Sequence, residues 1–250
     1  MTILSEQQKQ AVEATEGPVL IIAGPGSGKT FTLVERVLYL IQHKEIEPNN
    51  IMVATFTEKA ANELITRISN KLHEENIKFN LNEMYVGTIH SICLRILEEN
   101  RECTRLKKNY TLLDQFDQQY LIYQKIRFFL AIEDIGELLS YNLSRWKQSE
   151  FLLKWINRLS EEIVDVEDLL EHEDIRINVL GKCYQLYSDL LIEENALDFS
   201  TIQLETLKLL EGNNEIRLAY NDVLHYLMID EFQDTNTIQE KLVFLLSRKL

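Results

Sequence analysis

Apolar residues fall into two textures along this chain, and the boundary between them predicts its organisation. Near both ends, short unbroken apolar runs each break into a polar turn: Val19-Leu20-Ile21-Ile22-Ala23, Ile51-Met52-Val53-Ala54, Met84-Tyr85-Val86 and Tyr226-Leu227-Met228-Ile229. Runs of this length predict strands buried on both faces, as in a parallel sheet. Between them lie helical stripes. Leu33, Val34, Val37, Leu38, Leu40 and Ile41 give the segment Phe31 to Gln42 a wide apolar face, which predicts a well-buried helix. From about Thr104 to Asn195 the texture changes: glycine occurs only at Gly136 and Gly181, strand signals vanish, and Leu121, Ile122, Lys125, Ile126 and Phe129 share one helical face. The aromatics of this stretch, Tyr120, Tyr123, Phe128, Phe129, Trp146, Phe151 and Trp155, recur at helical spacings and are expected in its core. The pattern predicts an α/β fold, a parallel sheet flanked by helices with an inserted all-α subdomain. Residues 1–104 form the first part, 105–196 the insertion and 197–250 the return segment.

The first apolar run leads into Gly24-Pro25-Gly26-Ser27-Gly28-Lys29-Thr30. A strand that opens through glycines into a helix lets backbone amides curl around a polyphosphate, with the helix N-terminus aimed at it. Lys29 is then placed to reach the β- and γ-phosphates and Thr30 to hold Mg²⁺ through its hydroxyl. The pattern G-x-x-x-x-G-K-[ST] is missed at one position, where Ala23 stands for the first glycine. The last run ends in Asp230-Glu231-Phe232-Gln233-Asp234. Successive side chains on a strand point apart, so Asp230 is assigned to the metal and Glu231 to activating a water.

Other junction residues admit two readings each. Ser5 and Gln8 form a capping box at the start of a helix, while the Gln8 amide also has the donor and acceptor needed to read an adenine edge. In Thr55-Phe56-Thr57, Thr57 is an N-cap and Phe56 either plugs the core or stacks on a nucleobase. Thr88 caps a further helix running to about Glu99, whose first turn holds His90 as a structural residue or a phosphate contact. Gln233 and Gln239 are γ-phosphate contacts or plain helix-start residues. Asp198 caps a helix through Leu210.

Composition narrows the setting. The 250 residues are 45% apolar and 26% charged, as in an ordinary soluble globular protein. A formal charge of -14 argues against a nucleic-acid binder with a uniformly basic surface, though a local groove can still be basic. Three cysteines, widely spaced and in no C-x-x-C arrangement, suggest neither a disulfide framework nor a zinc site. A reducing cytoplasm fits this usage. No signal segment opens the chain, and no run approaches the length of a membrane span.

Taken together, LSEQQKQAV, AGPGSGKT, TFTEKAANEL, GTIHSICLRIL, ALDFSTI and LMIDEFQDTNTIQ closely resemble, in order, the motifs of the N-terminal part of UvrD/Rep-like DNA helicases of superfamily 1. The resemblance implies a RecA-like P-loop domain with a helical insertion, and ATP-driven movement along single-stranded DNA, typically 3′ to 5′. It assigns Ala23 to Thr30 to the nucleotide and Gln8 to adenine, and Gln233, from the reading of the residues above, is placed with the nucleotide-binding group. Single-stranded DNA falls to Thr55, Phe56 and Thr57, with Phe56 as the contact, and to Thr88 and His90. The pattern is departed from at Ser5, Glu58 and Ile89; Glu58 puts a negative charge beside a DNA-contacting segment. Family members continue with strands that flank the phosphate-loop strand and with a second RecA-like domain, so further helicase domains are expected beyond Leu250 and weak activity is expected of this portion alone. The alternative is a non-catalytic ATP- or DNA-binding regulatory module. A small-molecule kinase would leave the junction motifs unexplained.

Overall fold

The computed structural model describes residues 4–24 and 26–247. Its elements run α1 (Glu6–Glu13), α2 (Lys29–His43), β1 (Ile51–Thr55), α3 (Glu58–Glu74), β2 (Tyr85–Thr88), α4 (Ile89–Glu99), β3 (Thr111–Leu113), α5 (Gln115–Gln124), α6 (Ile126–Leu130) and α7 (Arg145–Glu161). They continue with α8 (Val166–Leu170), α9 (Ile175–Glu193), β4 (Ala196–Asp198), α10 (Phe199–Gly212), α11 (Asn214–Val223), β5 (Tyr226–Ile229) and α12 (Thr237–Leu246). The chain divides into two compact units. One comprises residues 1–92, 213–235 and 243–250, the other 93–212 and 236–242.

In the first unit β1 lies between β2 and β5, parallel to both. All five residues of β1 are buried, as a central strand covered on both faces requires. Val34, Val37, Leu38 and Leu40 of α2 and Leu64, Ile68 and Leu72 of α3 pack with Ile51, Val53 and Met228 into one core. Each such side chain contributes about 1.5–3 kcal/mol by leaving water. Helix starts follow the predicted caps. Ser5 Oγ accepts from Gln8 N–H while Ser5 N–H donates to Gln8 Oε1, and Thr57 Oγ1 accepts from Ala60 N–H.

The first apolar run departs from expectation. Val19 to Ala23 form no strand, and Leu20 and Ile22 are 78% and 88% exposed. Among the described residues nothing pairs with this segment, since β5 is hydrogen-bonded to β1 alone. A lone extended segment must satisfy its backbone with water, and its side chains stay there too.

The second unit is mostly helical. Leu121, Ile122, Ile126 and Phe129, the face read from the sequence, are buried with Leu152, Ile156, Val179 and Tyr187. Two expectations need correction. The stretch is not all-α, because β3 pairs in parallel with β4, Thr111 opposite Ala196; a three-residue strand is too short to show a period. Nor are all its aromatics core. Phe129 is fully buried, but Tyr120, Tyr123, Phe128 and Trp146 are exposed. Asp198 caps α10 by accepting from Thr201 N–H at 2.7 Å, and its other oxygen accepts from Tyr187 Oη–H at 2.6 Å. The described cysteines are unpaired thiols. Among the described residues no helix is long and apolar enough to cross a membrane.

Candidate active site

The glycine loop is built by its own short-range bonds. Ser27 N–H and Oγ–H both donate to the Gly24 carbonyl, at 3.3 and 2.6 Å, and Gly26 and Gly28 take φ of 74° and 88°, where a side chain is strained. Gly28 is the N-cap of α2 and supplies no side-chain cap. The first-turn amides of a 15-residue helix are therefore left for an anion. Pro25 lies outside the described residues. Gln8 closes over this turn: its Nε2–H donates to the Ser27 carbonyl at 3.1 Å, and a Cβ on Gly28 would lie 2.9 Å from that nitrogen. With one lone pair committed to Ser5 and one proton to Ser27, the Gln8 amide retains acceptor and donor capacity.

Gly24, Gly26, Gly28, Lys29, Thr30 and Phe31 line an open cleft of about 520 Å³ together with Glu231 and Arg67. Glu231 follows β5 with φ 53°, a left-handed conformation uncommon for a residue with a side chain. Lys29 Nζ lies 2.9 Å from one Glu231 oxygen and 3.1 Å from the other, and Gln233 Nε2–H donates to Glu231 at 2.6 Å. The bonds from Gln233 and Lys29 hold the Glu231 carboxyl below its ordinary pKa. Glu231 in turn holds Lys29 above its own. Asp230 behaves oppositely: burial, and then the adjacent Glu231 charge, push its pKa up. Its amide donates to the Ala54 carbonyl at 2.8 Å, extending the β5–β1 ladder to the strand end. Two neighbouring carboxyls thus differ in affinity for protons.

The other junction residues sit at or just past the C-terminal ends of β1 and β2, where parallel sheets place ligands. Phe56 is half exposed, so it is not a core plug. Thr57 is exposed, whereas Thr55 and Thr88 are buried. Thr88 Oγ1 accepts from Ser91 N–H at 3.1 Å, and Gly87 leaves room for Ser91, whose Oγ would lie 2.3 Å from an added Cβ. Both threonine side chains therefore shape the junctions instead of facing solvent. His90 is partly buried, which lowers its pKa, with Glu58 opposing that shift. Gln239 is a helix-start residue: it and Asn236 bond reciprocally at the head of α12.

Arg67 escaped the sequence reading. On α3 it pairs with Glu63 one turn earlier, which in sequence is indistinguishable from any i,i+4 surface pair. Only folding shows that the same guanidinium lines the cleft. Phe31, read as part of an apolar helix, is likewise a wall of that cleft.

Known proteins resemble the chain over nearly its whole length. The UvrD/REP helicase N-terminal domain matches residues 4–250. Among similar proteins are the ATP-dependent DNA helicase Rep of Buchnera aphidicola, 34% identical over 98% of this chain and 36% of its own length. The ATP-dependent DNA helicase PcrA of Staphylococcus epidermidis is 34% identical over 98% of this chain and 32% of its own length. PcrA of Staphylococcus aureus is 32% identical with the same coverage. The chain spans about a third of the length of these relatives.

Proposed function

Since the chain belongs to the UvrD/REP helicase N-terminal domain family, we propose that it is the ATP-binding portion of an ATP-dependent DNA helicase that moves 3′ to 5′ along single-stranded DNA in the cytoplasm. In this reading residues 1–104 and 197–250 make the P-loop RecA-like domain, residues 105–196 its insertion, and the remaining helicase domains follow Leu250. The observation that carries it is the Lys29–Glu231 contact across the glycine-lined cleft, because it joins the phosphate-binding and water-activating groups of an ATPase.

The residues assign the steps. The amides of Gly24 to Thr30 and the Lys29 ammonium take the phosphates, and the free donor and acceptor of Gln8 read the adenine edge. Thr30 and Asp230 offer one hydroxyl and one carboxylate, hard oxygen donors that suit Mg²⁺. Among the described residues no three His, Cys, Asp or Glu side chains converge, and Mg²⁺ sites commonly draw their remaining oxygens from phosphate and water. When bound, Mg²⁺ supplies neutralisation of charge developing on the phosphates. Phosphate arriving at Lys29 takes over from Glu231, which then turns to an attacking water while Gln233, bonded to it, senses the change. Phe56 and Thr57 offer the DNA contact, with Thr55 and Thr88 holding the junctions and His90 beside them.

Two measurements test this. Lys29→Ala should abolish Mg-ATP binding in calorimetry with the fold intact; unchanged affinity overturns the phosphate-loop assignment. In a chain carrying the remaining helicase domains, Glu231→Gln should lower DNA-stimulated turnover by about 10²–10⁴ while ATP still binds. Wild-type rates would overturn the role given to Glu231.

A further inference from the structure

The second unit carries four aromatic rings in mutual contact on its surface. Phe116, Tyr120 and Tyr123 rise along α5 at about one turn each, and Trp146 joins them from the first turn of α7. Ring centroids lie 6.2 Å apart for Phe116–Tyr120 and 6.4 Å for Tyr120–Tyr123, with planes within 7° and 21° of parallel. Trp146 closes the circuit at 5.7 Å from Phe116 and 5.5 Å from Tyr123. Each ring is 37–62% exposed, although rings of this size bury readily. The patch is held in place: Gln119 Nε2–H donates to the Trp146 carbonyl at 3.1 Å, tying α5 to α7, and Leu121 and Ile122 anchor α5 from the opposite face.

The chain carries a formal charge of -14, yet two cations sit directly beside Trp146. Arg145 and Lys147 flank Trp146, both exposed, and among the described residues neither forms an ion pair. Arg127, beyond the end of α5, is likewise exposed and unpaired. The acidic groups lie at the two margins of the patch: Asp114, which accepts from the Asp117 amide as the helix cap, and Asp117 beside Phe116 at the start of α5, and Glu150 one turn beyond Trp146 on α7.

We propose that this aromatic face is a second contact for single-stranded nucleic acid, with unstacked bases lying one per ring and Arg145 and Lys147 taking the phosphates. The inference rests on the single-stranded DNA reading proposed above. Ring steps of 6.2 and 6.4 Å are nearly twice the ~3.4 Å per nucleotide of a duplex strand, so the ladder fits a stretched single strand. Stacking of this kind tolerates any base, because every base has a π-face.

The chain has two tryptophans, so in a Trp155→Phe background Trp146 reports alone. A labelled thymidine oligonucleotide followed by anisotropy should bind and quench Trp146 emission to saturation. Phe116→Ala/Tyr120→Ala should weaken binding about tenfold or more, with thermal melting lowered only slightly because both rings are largely exposed. Arg145→Glu/Lys147→Glu should flatten its salt dependence. Phe56→Ala should weaken binding but leave the saturating quench in place. Binding that leaves Trp146 emission and the double-alanine variant unaffected overturns the inference while the DNA reading stands. No binding by any variant overturns both. Self-association in sedimentation that the double-alanine variant abolishes, with oligonucleotide binding unchanged, assigns the face to a second copy of the chain and overturns the inference.

Discussion

Ile51–Thr55 and Val19–Ala23 are each five residues long, mostly apolar, and each leads through a turn into a helix. The first is a fully buried central strand, while the second is unpaired with its large side chains in solvent. Apolar composition is therefore not sufficient for a strand. β1 has β2 on one side and β5 on the other to take its backbone groups, and Val19–Ala23 has neither kind of partner among the described residues. The glycine loop is nevertheless held, by Ser27 on Gly24 within the loop and by Gln8 reaching over from α1. A glycine loop can thus be organised by a few hydrogen bonds at the end of a segment that is not itself packed.

The sharpest contrast comes from stability. Ile51→Ala should cost about 2–5 kcal/mol in urea unfolding, and Ile22→Ala should stay within about 0.5 kcal/mol. Equal losses would erase the distinction and place the first run in a core. Next in size is what β1 delivers to the surface. Phe56→Ala should weaken single-stranded DNA binding by about 1–3 kcal/mol with little change in melting temperature, since the ring is half exposed. A stability loss with DNA affinity intact would make the ring part of the packing after all. The smallest effect concerns the carboxyls after β5. The Asp230 pKa is raised in the fold, so its ionisation opposes folding above its unfolded pKa, and the penalty lifts as pH falls through the raised value. Asp230→Asn should raise the melting temperature slightly at pH 7, with the gain vanishing in acid. Glu231, whose pKa is lowered, has the opposite sign: its contribution is present above the unfolded pKa and lost as pH falls through the folded one. Glu231→Gln should therefore lower stability slightly at pH 7 and not in acid, and a scan in which both variants shift alike would contradict the opposed environments.

Much of this was legible in the sequence where the determinants are local. The Ser5–Gln8 box, the Thr57 cap and the Asp198 cap each depend on residues three apart, and the face of α2 on a simple period. What escaped depends on distant partners or on which side of a helix meets a neighbour. β3 exists because Thr111–Leu113 finds β4 far along the chain. α5 is apolar on two sides, so periodicity alone did not say that Tyr120 and Tyr123 face solvent while Leu121 and Ile122 face the core. In the candidate site, motif spacing pointed to Lys29 and Glu231 separately, but not to their contact with each other. Arg67 was hidden behind its ordinary pairing with Glu63.

The Lys29–Glu231 contact also bears on how nucleotide binding responds to its medium. With a carboxylate already seated at the ammonium, capture of a phosphate in the proposed nucleotide site would be an ion exchange rather than the neutralisation of a bare cation. One anion leaves as another arrives, so ionic strength weakens both sides of the equilibrium. Nucleotide affinity should accordingly fall less steeply with salt in the wild-type chain than in Glu231→Gln, where the same lysine has no internal counter-ion to surrender.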